Sequence, residues 1–224
     1  MPEQMKLPDE AKRLEQQAQL IEKFLRELTE QYGEIPAVIV IGGFAVRAHG
    51  ATRFSHDGDI MVDMGTYAAL RDQYTVYKAG RLGKSEFRTP SNIEIDVYVE
   101  NQHKLRVPFD EAQAYAVKKK GLWVACVEHL LILKLDALKD RGNTDKGEKD
   151  IDDILLLLSR NEIAHPDLLK RHLRSGDWSI LDEVIDTAGN WQRFTNQNYK
   201  ESATLQERVI AALKAIKPTT PDFE

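Results

Sequence analysis

Val38-Ile39-Val40-Ile41-Gly42-Gly43-Phe44-Ala45 is followed a few residues later by Arg53-Phe54-Ser55-His56-Asp57-Gly58-Asp59-Ile60-Met61-Val62. A run of mostly β-branched apolar residues ending at Ile41 reads as a strand buried on both faces. Gly42-Gly43 follows it directly, and residues 44–50 read as a short helix closed by Gly50. A strand passing through glycines into a helix brings bare backbone amides near a helix N-terminus. That is a natural place for phosphate oxygens, although paired glycines also make tight turns. The second segment reads as a strand over residues 59–63, led in by two carboxylates. Asp57 and Asp59 are two residues apart, so on extended chain they share a face, with Cα atoms about 6.7 Å apart. Like charges side by side repel. A hard divalent cation, which takes oxygen ligands, removes the repulsion; the alternative is a solvated turn favoured by the Asp-Gly step.

Residues 93–99 give a third strand, in which Ile93, Ile95, Val97 and Val99 point one way and Glu94, Asp96 and Tyr98 the other. An acid in the middle of an apolar strand needs a use, so Asp96 and Glu94 are both candidates for a third metal carboxylate. Shorter β segments are expected at 74–78 and 85–88. Lys78, Arg81, Lys84 and Arg88 cluster there, either to contact phosphates or as a solvated hairpin. Upstream, Leu14, Ala18, Ile21, Leu25 and Leu28 recur at helical spacing and predict an amphipathic helix over 8–32, ended by Gly33 and Pro36. A surface helix is expected at 66–73. Residues 107–122 are mixed, and Lys118-Lys119-Lys120-Gly121 reads as a solvated basic turn, or as a contact for RNA. From residue 124 the pattern is all-helical: a central buried helix over 127–138, another over 146–158, and three more at 167–173, 178–188 and 201–216.

The composition, 42% hydrophobic and 30% charged over 224 residues, is that of a globular protein. The net charge is −5, and neither residues 1–120 nor 121–224 are net basic, which argues against a broad nucleic-acid-coating face. A single cysteine, Cys126, excludes an internal disulfide framework and a cysteine-based zinc site. The apolar runs are too short to span a bilayer, and the Met-Pro-Glu-Gln start does not resemble a secretory signal, so the expectation is no membrane partner and a cytoplasmic location.

Taken in order, Ile41-Gly42-Gly43, Asp57-Gly58-Asp59-Ile60 and Ile95-Asp96-Val97 resemble the pattern of the nucleotidyltransferase superfamily with the DNA-polymerase-β-like fold. The match covers roughly residues 36–100. Within it, Arg53-x-Ser55-x-Asp57-x-Asp59 is similar to the opening of the minimal prokaryotic AbiEii/MenT-type nucleotidyltransferase toxins of type IV toxin–antitoxin systems. Lys134, Arg141, Lys149-Asp150 and Asp153 stand at places comparable to the basic and acidic residues of that group's helical half. Gly58 departs from the pattern, which usually has an apolar residue there.

The resemblance implies an α+β fold: a nucleotidyltransferase mixed β-sheet flanked by helices over residues 1–122, a helical bundle over 123–217, and a tail over 218–224. It implies Mg²⁺- or Mn²⁺-dependent transfer of an NMP from an NTP to an acceptor hydroxyl, with Asp57, Asp59 and Asp96 as metal ligands and Asp96 helping to deprotonate the attacking hydroxyl. Gly42, Gly43, Arg53 and Ser55 would meet the triphosphate. Lys134, Lys149 and Arg141 would meet charge developing on the pyrophosphate, and Asp150 and Asp153 would orient Lys149 or Arg141. The acceptor would be tRNA or another RNA, a protein or a small molecule, and an antitoxin is an expected partner. Two other readings compete: a catalytically silent module of the same fold that binds a nucleotide or partner, and an antibiotic-modifying nucleotidyltransferase.

Overall fold

The computed structural model describes residues 6–33, 35–53, 55, 57–78, 84–89 and 91–217. Arg81 of the predicted basic cluster and the tail at 218–224 lie outside them. The chain divides into two compact units, Met1–Cys126 and Val127–Glu224.

The first unit opens with α1 (Lys6–Gln31), which buries Ala18, Ile21, Leu25 and Leu28, the stripe expected from their spacing. Then come β1 (Val38–Ile41), α2 (Gly42–Ala48), β2 (Gly58–Val62), α3 (Met64–Gln73), β3 (Thr75–Lys78), β4 (Ser85–Arg88), β5 (Glu94–Val99), α4 (Phe109–Ala114), β6 (Val117–Lys119) and β7 (Leu122–Val124). These strands form one seven-stranded sheet in the order β3-β4-β5-β2-β1-β7-β6. It is mixed: β2 runs parallel to β5 and β1 parallel to β7, and the remaining neighbours are antiparallel. The class is α+β, as expected.

Local chemistry sets the boundaries. The second strand starts at Gly58 and stops at Val62, because Asp63 leaves it to cap α3, its carboxylate accepting from Thr66 N at 2.7 Å. The basic run at 118–121 is half strand. Lys118 and Lys119 lie on the edge strand β6, and only Lys120-Gly121 turns, with φ of 51° and 79°. Positive φ at both central residues suits a two-residue hairpin, and lysines on an edge strand discourage pairing with another chain. His49, just past α2, is buried and shares a 2.9 Å hydrogen bond with Ala125 O beyond β7, joining two loops at one end of the sheet.

The second unit is helical: α5 (Val127–Arg141), α6 (Asp145–Arg160), α7 (Pro166–His172), α8 (Ser175–Asp186), α9 (Ala188–Phe194) and α10 (Tyr199–Lys214). Thr144 caps α6 by accepting from Gly147 N at 3.2 Å. The sequence pattern did not predict α9, whose Gly189-Asn190 start is a poor helix former. Packing overrides propensity there: Trp191 is fully buried and donates its indole N–H to Ile185 O at 2.7 Å. Among the described residues no helix is long and apolar enough to cross a membrane.

Gly58 has a packing reason. A Cβ at this position would lie 2.6 Å from Ile95 Cδ1 and 3.1 Å from Ile21 Cγ2. Its face of β2 packs against α1, so a larger side chain there would have to displace Ile95 and Ile21. Gly58→Val should therefore lower the unfolding free energy by about 1–3 kcal/mol through overpacking, read as a fall in the urea midpoint followed by circular dichroism. An unchanged midpoint would show that the α1–β2 contact yields freely.

Candidate functional site

Strand pairing places the acids. Antiparallel pairing of β1 with β2 sets Ile41 opposite Asp59, and parallel pairing of β2 with β5 sets Asp59 beside Asp96. Neighbouring strands put those two Cα atoms about 4.8 Å apart. Since Gly58 faces α1, the alternation of the strand puts Asp59 on the opposite face, while Asp57 stands in a bend just before the strand begins. Asp57 is exposed and Asp59 half-buried.

The two glycines make room for this arrangement. Gly42 has φ of 62°, and a Cβ there would come 2.1 Å from Asp59 Oδ2. Positive φ and this contact both require glycine. At Gly43 a Cβ would come 2.6 Å from Ser55 Oγ. Ser55 donates its hydroxyl to Asp57 O at 3.1 Å, fixing the approach to β2, and Arg53 lies half-buried in the same loop. Asp59 and Asp96 are thus side by side on β2 and β5, with Gly42 against Asp59 and Gly43 against Ser55.

A further acid, not anticipated from the sequence, belongs to this row. Pairing of β4 with β5 sets Glu86 opposite Asp96, so Asp59, Asp96 and Glu86 stand side by side on three adjacent strands. Glu94, the alternative third ligand, lies at the start of β5 opposite Arg88 and is ion-paired to it; Arg88 also reaches Glu86 at 3.7 Å. The Asp96 carboxylate is in contact with the ammonium of Lys84, just before β4. Oxygen-only donors on one face suit a hard divalent ion. Among the described residues, however, no three His, Cys, Asp or Glu side chains are grouped so as to hold a metal ion. Asp96 already has a cation.

In the helical unit, Lys134 on α5 lies 2.9 Å from Asp150 Oδ1 and 2.7 Å from Asp153 Oδ2 on α6. Arg141 reaches the other Asp150 oxygen at 2.7 Å. The carboxylates are almost fully buried, at 1% and 3% exposure, and the Lys134 side chain is 13% exposed. Burial alone would lower the Lys134 pKa. The charges of Asp153 and Asp150, and the hydrogen bonds they accept, outweigh it and hold the ammonium above the ordinary lysine value. The expectation that Asp150 and Asp153 orient a basic residue fits Arg141 and extends to Lys134. Lys149 is exposed on α6.

No family model matches the chain, and no curated protein does. Among solved structures it is similar to JHP933 from Helicobacter pylori, with 18% identity and a TM-score of 0.50 over 89% of this chain and 93% of that one. It also aligns with an antigenic nucleotidyltransferase-like protein from Paracoccidioides brasiliensis, with 15% identity and a TM-score of 0.47 over 83% and 92% of the two chains. At 18% identity the likeness to JHP933 is one of fold.

Removing Asp150 would leave two cations without their shared partner. Asp150→Ala should destabilise the helical unit by about 3–5 kcal/mol, whereas Lys149→Ala should change stability by no more than about 0.5 kcal/mol. Chemical denaturation of both variants checks this, and equal effects would remove Asp150 from the centre of the network. The network also predicts an alkaline limb. Because the folded pKa of Lys134 is raised, its contribution is complete below the unfolded lysine value of about 10.4 and is lost as pH climbs through the higher folded value. Melting temperatures measured across that range should fall, and less steeply in Asp150→Ala.

Proposed function

We propose that the chain is a nucleotidyltransferase that moves an NMP from an NTP to an acceptor hydroxyl with Mg²⁺ or Mn²⁺ as cofactor. The observation that carries this reading is the register pairing of Asp59 with Asp96 on adjacent parallel strands, with Gly42 cut back to admit Asp59. Nothing in folding asks for acids in that arrangement, because side by side they repel. The resemblance of Gly42-Gly43, Asp57-x-Asp59 and Asp96 to the superfamily pattern supplies the chemistry.

When bound, divalent metal would neutralise phosphate charge and stabilise the charge that develops during transfer. Asp57 and Asp59 would hold it, with Asp96 as the third ligand and as the base that accepts the proton of the attacking hydroxyl. Gly42 and Gly43 let the main chain approach the triphosphate. Ser55 and Arg53 offer a hydroxyl and a guanidinium to phosphate oxygens. Lys134 and Arg141 are balanced by Asp150 and Asp153, two cations against two carboxylates, so this network is neutral as a group. Lys149 is one of the exposed cations of α6, with Lys146 and Arg160. Within this function the AbiEii/MenT-type resemblance favours an RNA 3′ end such as that of tRNA as acceptor, and a toxin restrained by an antitoxin. Protein and antibiotic acceptors remain within the same chemistry.

The contact between Lys84 and Asp96 favours a second reading, a silent module that binds NTP without turnover. Incubation with each α-³²P-labelled NTP, Mg²⁺ and total RNA or lysate separates the two. Transfer of label, lost to background in Asp57→Ala and Asp59→Ala, is the expected result. NTP binding by calorimetry with no pyrophosphate released from any acceptor pool would establish the silent module. Absence of NTP binding with Mg²⁺ present would remove both.

A further inference from the structure

Asp59, Asp96 and Glu86 form a line of carboxylates across three adjacent strands, and such a line is unfavourable unless cations are interleaved. The chain supplies its own. Arg88 serves Glu94 and Glu86 on one side, and Lys84 serves Asp96 in the middle of the row. Lys84 lies two residues before Glu86, so its side chain emerges on the face that carries the acids.

We propose that Lys84 is a tethered counter-cation for Asp96 that competes with a divalent metal ion for that carboxylate. This rests on the reading of the acid row as a metal site. The residue type suits the task. A lysine ammonium is a compact point charge on a flexible four-carbon stem, with three rotatable donors and no fixed fork to break on leaving. Its exposure suits it too: the Lys84 side chain is 27% exposed and that of Asp96 15%, so the pair is reachable from solvent. Without nucleotide, a metal ion seeking both Asp59 and Asp96 has to displace Lys84. With nucleotide, the phosphates offer the ammonium a second anionic partner, Asp96 is released, and metal and nucleotide are taken up together. Lys84 therefore weakens metal binding to the empty protein and makes it depend on nucleotide.

Mn²⁺ binding to the full chain, followed by electron paramagnetic resonance of the free ion with and without a non-hydrolysable NTP analogue, tests this without reference to turnover. Lys84→Met should bind Mn²⁺ about fivefold more tightly than wild type in the absence of nucleotide, the size expected for losing one partly exposed competing pair. The gain should vanish in Lys84→Met/Asp96→Asn, and Lys84→Arg, which keeps the charge, should not show it. Equal Mn²⁺ affinity in wild type and Lys84→Met, with Asp57→Asn weakening both, would overturn the counter-cation role and leave the metal site standing. Failure of wild type and Lys84→Met alike to bind Mn²⁺, with or without the analogue, would overturn the metal site itself and the proposal with it.

Discussion

The carboxylate of Asp59 lies against the backbone of Gly42, in space that exists because residue 42 has no Cβ and a positive φ. Much of the first unit's arrangement follows from this contact. It lies where the end of β1 meets the start of β2, whose antiparallel register sets Ile41 opposite Asp59. The same register carries β2 alongside β5 so that Asp59 meets Asp96, and β5 alongside β4 so that Asp96 meets Glu86. A slip of one residue in any of these pairings would turn an acid into the core and an apolar side chain out of it. The apolar halves of the strands oppose such a slip: Ile95, Val97 and Val99 are fully buried on the face away from Asp96.

Strand β2 is constrained on both sides. One face packs against Ile21 of α1 and Ile95 of β5, and a Cβ on Gly58 would press on the ends of both side chains. The other carries Asp59 beneath Gly42. Helix α1 is thus more than a cover for the sheet. It packs behind β2 while Asp59 stands in front, and a side chain at residue 58 would crowd Ile95 as well as Ile21.

This division explains what could be read in advance. That Asp59 and Asp96 lie on strands was legible because strand periodicity is local: alternation within a few residues assigns a face. The stripe on α1 was legible for the same reason at helical spacing. Glu86 was not, because its place depends on which residue of β4 stands opposite Asp96, a non-local fact with no local signature. The partners of Asp150 were hidden likewise, since an ion pair between α5 and α6 depends on how two helices pack. The short helix α9 was missed because Gly189-Asn190 argues against helix locally, while the burial of Trp191 argues for it more strongly.

Two lysines show how burial divides similar ion pairs into different roles. Lys134 is held by two nearly buried carboxylates on a neighbouring helix, and Arg141 shares one of them. Taking its ammonium away would remove a counter-charge from two carboxylates in low dielectric, so the pairing persists as part of the helical packing. Lys84 has a single carboxylate and twice the exposure, 27% against 13%. Water can solvate both members of that pair when they separate, so the contact is weak enough to be exchanged. A cation that must leave a site and return to it has to be attached in this second way, and in the first unit Lys84 at Asp96 is attached so.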